Sequence, residues 1–128
     1  MRRSLNLPRQ PGSAAEARRF VCGVVDELDL RCQFGLALVV SELVTNAVRY
    51  GNAPIELAIH AQADRVRVEV TDASPVPPAL RIAPPGAISG RGLALVDSIA
   101  SSWGMAAVPG HGKVVWAEVN PDELASLG

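Results

Sequence analysis

The sequence predicts an α/β fold: a two-layer α/β sandwich, with a mixed, mostly antiparallel sheet and helices on one face. Three observations point there. Apolar residues recur at helical spacing in three segments, 13–30, about 32–50 and about 90–101. Four further segments, 54–61, 64–72, 103–108 and 113–119, read as strands. Turn residues punctuate the boundaries between them.

Each element has its own signals. Residues 3–7 are compatible with a short strand, or with a flexible start reaching to residue 12, before the Pro8–Gly12 break. The segment "SAAEARRFVCGVVDELDL" opens on Ser13 with Glu16 three residues on, the spacing of a capping box. Phe20, Val21, Val24, Val25 and Leu28 follow at helical intervals. The second helix stops at Gly51, a residue suited to a helix C-terminus. In "PIELAIHA" Ile55, Leu57 and Ile59 alternate with polar or small neighbours. "DRVRVEVTD" alternates more cleanly, so the two strands form a hairpin turning near Gln62–Asp64. Residues 73–89 hold five prolines and can be neither helix nor central strand. "WGMAAV" and "KVVWAEV" form a last hairpin around Pro109–Gly112. The whole of 1–128 reads as one domain.

Composition excludes several functions. With 128 residues and 48% hydrophobic content the chain can bury a core. Its net charge of −1 provides no field for nucleic acid. No apolar run is long enough to span a membrane. "MRRSLNLPRQPG" lacks the apolar core of a signal peptide, so a cytoplasmic location is expected. Cys22 and Cys32 sit in apolar patterns and read as reduced structural thiols.

Three places carry chemistry. On a wheel of the second helix, Leu36, Val39, Val40, Leu43, Val44 and Ala47 form the apolar arc, with Ser41, Thr45 and Arg49 opposite. Glu42 and Asn46, one turn apart, converge at an edge of that arc, where core meets water. At the end of its strand, Asp72 falls on the face of Val66, Val68 and Val70. An inward acid needs donors. It either binds the backbone of Ser74 in an Asx-type turn before Pro75 or accepts a ligand's N–H. Finally, Ser89, Gly90 and Gly92 precede an amphipathic helix, with Arg91 between the glycines. Small residues at a helix N-terminus admit a phosphate, and Ser89 as an N-cap explains part of the same pattern. No P-loop is present.

Taken in order, "ELVTNAVRYG", "VEVTDASP", "GRGLALV" and "GKVVWAEV" resemble the N box, the first and second glycine boxes and the closing strand of the GHKL (histidine-kinase-like) ATPase superfamily. The likeness runs from about residue 10 to 120, and is strongest to the small RsbW-type branch of anti-sigma factors and serine/threonine protein kinases. It implies a Bergerat ATP-binding fold, with ATP and Mg²⁺ as cofactors and 73–89 as the ATP lid. It implies that Glu42 takes the proton from the attacking hydroxyl, that Asn46 holds Mg²⁺, and that Arg49 steadies a phosphate. Asp72 would accept the adenine amino group, with Ser74 beside it in the first box, and Gly90, Arg91, Gly92 and Leu93 would surround the phosphates. The implied partners are an anti-sigma-factor antagonist, a sigma factor, or both; a homodimer is compatible, while direct nucleic acid and membrane are not expected. The alternative is a nucleotide-dependent binding module that sequesters a sigma factor or another regulator with little or no catalysis. Two departures stand out. The first box reads Asp72-Ala73-Ser74-Pro75-Val76, without the family's glycines, and Val114 replaces the threonine that many relatives carry after the closing-strand lysine.

Overall fold

The alternating and helical patterns become five strands and three helices in a computed structural model, which describes residues 1–28, 33–62, 64–75, 92–110 and 112–120. In chain order these are β1 (Arg2–Leu7), α1 (Ser13–Leu28), α2 (Gln33–Tyr50), β2 (Ile55–Gln62), β3 (Arg65–Asp72), α3 (Gly92–Ile99), β4 (Ser102–Val108) and β5 (Gly112–Val119). The expectations for most of the 73–89 lid, for Ser89, Gly90 and Arg91, and for Cys32 lie outside the described residues.

The strands form one sheet in the order β1-β2-β3-β5-β4. The sheet was expected to be mixed and mostly antiparallel, and all four pairings among the described strands are antiparallel. The reason is topological. β3, α3 and β4 form a crossover whose two strands run the same way, but β5 returns between them and pairs with both. No parallel neighbours remain.

Period-two alternation sorts the sheet into two faces. Ile55, Leu57, Ile59, Val66, Val68, Val70, Val115, Ala117 and Val119 are buried on one. The helices cover that face, with Leu36, Val39, Val40, Leu43, Val44 and Ala47 of α2 all inside the core. α2 packs against α1, α3, β3 and β5, so the helix predicted to carry chemistry is central to the helical layer. The other face carries a charged lattice. Arg67 stacks over Trp116 at 4.3 Å and donates to Glu118 at 3.0 Å, and His60 of β2 lies beside Glu69 of β3.

Two boundaries differ from expectation. Glu16 N–H bonds the carbonyl of Gly12 at 3.2 Å, so Gly12 precedes the first turn of α1 and Ser13 lies inside it. The Ser13 hydroxyl donates to the Pro8 carbonyl instead of capping. Ser13 is fully buried and ties β1 to α1. α3 ends at Ile99, because Ser101 N–H turns away to the Glu118 carbonyl of β5 at 2.9 Å. Among the described residues no helix is long and apolar enough to cross a membrane. Cys22 carries a free thiol.

Candidate nucleotide site

α2 sets out the site along its length. Glu42 and Asn46 are half-buried on the helix edge beyond the core arc. Among the described residues neither side chain has a hydrogen-bond or ion-pair partner. On the opposite flank, Ser41 accepts a bond from Arg18 of α1 at 2.8 Å. Thr45, Val48 and Arg49 line a 260 Å³ pocket there with Pro11 and Ala14. At about 100° per residue, Asn46 lies roughly 140° around the helix from Ser41. On the same wheel Glu42 lies about 100° and Arg49 about 80° from Ser41, and exposed Arg49 reaches the pocket on the α1 flank.

The C-terminus of α2 meets the end of β3. Gly51 N–H closes the helix on the Ala47 carbonyl at 2.8 Å. A Cβ on Gly51 would stand 2.6 Å from Asp72 Cγ and 2.7 Å from the Ala47 carbonyl oxygen, so only glycine fits against the acid. Asn46 precedes Gly51 by five residues, about 7.5 Å along the helix axis. Glu42 lies a further turn back, about 13.5 Å before Gly51 along the axis.

Asp72 itself is 2% exposed. Its Oδ1 accepts Ser74 N–H at 2.7 Å, so the Asx turn left open by the sequence is formed. Asn52 N–H approaches Oδ1 at 3.4 Å. Sequence reasoning missed the remaining partner. Lys113, directly opposite Asp72 in the β3–β5 ladder, reaches Oδ1 at 3.1 Å and Oδ2 at 3.0 Å and also donates to the Ser74 carbonyl at 3.3 Å. Asp72, expected to accept a ligand's N–H, thus already accepts from a lysine. The signal was legible, because period two places Lys113 on the inward face with Val115, Ala117 and Val119, where a charge needs a counter-charge. Gly112, at φ +100°, lets the start of β5 press on the Asp72 backbone; a Cβ there would lie 2.1 Å from its carbonyl oxygen. Ser74 is buried, and Leu93 and Val96 fix α3 to the core just after Gly92.

The histidine kinase-like ATPase domain family matches residues 7–118. The chain belongs to that family. Its fold agrees. The solved structure of the RsbU and RsbW domains of Rv1364c from Mycobacterium tuberculosis superposes at a TM-score of 0.69, with 19% identity, over 93% of this chain and 32% of that one. The histidine kinase domain of the Erythrobacter litoralis EL346 blue-light activated histidine kinase gives 0.54, with 20% identity, over 76% and 48%. At these identities the likeness concerns the fold, and the chain spans under half of either neighbour. No curated protein matches the sequence.

In this histidine kinase-like ATPase domain the donor set suits a magnesium nucleotide in part. Among the described residues no three His, Cys, Asp or Glu side chains converge on a metal position. The unpartnered Asn46 carboxamide offers one oxygen, and a Mg²⁺ shell is otherwise completed by phosphate oxygens and water. The base end fits less well, since Lys113 holds the carboxylate.

Proposed function

We propose that this chain is an ATP-binding regulatory protein acting as an anti-sigma-type serine/threonine protein kinase on an anti-sigma-factor antagonist. The observation that carries the reading is the pair Glu42 and Asn46: one turn apart, half-buried and without protein partners among the described residues. A half-buried carboxylate and carboxamide left unpaired on a helix edge invite a ligand. Asn46 would hold Mg²⁺, which would offset phosphate charge when bound. Glu42 accepts the hydroxyl proton of the antagonist's serine as its oxygen bonds the γ-phosphorus and the bond to the bridging oxygen of ADP breaks. Gly90, Arg91, Gly92 and Leu93 complete the phosphate side in this reading. The family membership and the RsbW neighbour support it.

A second reading, a nucleotide-dependent binding module that sequesters a sigma factor, is favoured by one observation: the Asp72–Lys113 pair fills the base end. Incubation with γ-labelled ATP, Mg²⁺ and a candidate antagonist separates the two. The kinase reading expects label on an antagonist serine. No transfer and no hydrolysis, with nucleotide still bound, overturns the kinase reading in favour of the binding module.

A further inference from the structure

We infer that Lys113 removes base selection from this site by occupying the acceptor that the exocyclic amine of adenine would use. The inference rests on the nucleotide-binding reading above and specifies what that site accepts. A carboxylate selects an amine-bearing base only if it offers a free lone pair at the end of the pocket, since selectivity comes from stranding a buried polar group when the wrong base enters. Asp72 offers little. Its two oxygens have about four acceptor positions. Oδ1 takes Ser74 N–H at 2.7 Å, Lys113 Nζ at 3.1 Å and Asn52 N–H at 3.4 Å. Oδ2 takes Lys113 Nζ at 3.0 Å, and Gly51 packs so close that an added Cβ there would lie 2.7 Å from Oδ2. The two side chains are 2% and 3% exposed, so the pair is closed off from solvent.

The ammonium holds this position by construction. The strand ladder puts Lys113 opposite Asp72 on the same inward face, and the Ser74 carbonyl takes a second bond from it. A charge-assisted bond of this kind is roughly twice as strong as one from a neutral amine. The lysine also incurs none of the association cost that a free nucleotide meets. An incoming adenine amine therefore loses the competition for Asp72, and the purine is held by apolar packing and by its phosphates.

Calorimetry on the full chain with the Mg²⁺ complexes of ATP, GTP and purine riboside triphosphate, which lacks the 6-amino group, tests this. The wild type is expected to bind all three within about threefold of one another, less than one hydrogen bond to a charged group would give. Lys113→Thr, confirmed as folded by circular dichroism, frees the carboxylate and is expected to gain about tenfold to a hundredfold for ATP over the amine-free analogue. Binding by Lys113→Thr alone also supports the inference. A wild-type preference of tenfold or more for ATP over the amine-free analogue overturns it, and needs no variant. So does a loss of ATP affinity in folded Lys113→Thr, which would make the ammonium a direct nucleotide contact. If no folded form binds any of the three, the nucleotide reading itself falls, and this inference with it.

Discussion

At the scale of single residues, Glu42 and Asn46 occupy neighbouring positions but have separable tasks. Glu42→Ala is expected to keep near-normal Mg·ATP affinity while phosphoryl transfer falls by about 10²–10⁴. Asn46→Ala is expected to weaken Mg·ATP itself. Calorimetry beside a single-turnover transfer assay distinguishes them, and equal affinity losses would show the roles to be wrongly assigned. Asp72 and Lys113 matter to stability whatever the ligand. Lys113→Met strands a buried carboxylate and should cost about 3–5 kcal/mol in urea unfolding. Asp72→Asn combined with Lys113→Met should recover part of that loss, since neither side chain then carries an unpaired charge. The Glu42–Asn46 edge was legible because helical spacing alone brings i and i+4 together. Period two showed Lys113 facing inward, but not that it fills Asp72, because that depends on which strand pairs with β3, and strand order is a tertiary fact. Ser13 misled for a local reason: its hydroxyl finds the Pro8 carbonyl, and the Gly12 carbonyl takes the first helical bond.

At the scale of elements, junctions rather than interiors carry the tightest constraints. Gly51 joins α2 to the Asp72 end of β3 with no room for a methyl group. Gly51→Ala is expected to cost about 1–3 kcal/mol, the usual penalty of overpacking, seen as a lower urea midpoint with unchanged slope. A second junction links β1 to α1 through Arg3 and Glu27 on the surface. The hydrogen bond from Arg3 holds the Glu27 carboxyl below its ordinary value. A lowered folded-state value means the contribution is present above the ordinary glutamate range and lost as pH falls through the lowered value. The stability gap between wild type and Glu27→Gln should therefore be small and positive at neutral pH and vanish in acid, as a pair of urea titrations would show. Strands β2 and β3 were readable to within a residue because each alternates against water on one face. The end of α3 was less so, since Ser101 leaves the helix for a carbonyl on β5 that no local pattern announces.

At the scale of the whole molecule, the sheet sets a gradient of protection. β3 is paired on both sides, whereas β1 and β4 are edges. Hydrogen exchange should find the β3 amides slowest, opening only with global unfolding, and the outward-facing amides of β1 and β4 faster by orders of magnitude. Exchange of β3 as fast as β4 would contradict this arrangement. The placement of β5 has a further consequence, for synthesis. β5 follows β4 in the chain yet lies inside it in the sheet, and it carries Lys113. While a ribosome is still making residues before Gly112, β4 has no neighbour, one edge of β3 is open, and Asp72 has no counter-ion. The nascent chain can assemble its helices and the β1-β2-β3 meander early, but the seal on the Asp72 pocket and the closure of the sheet arrive together, with β5.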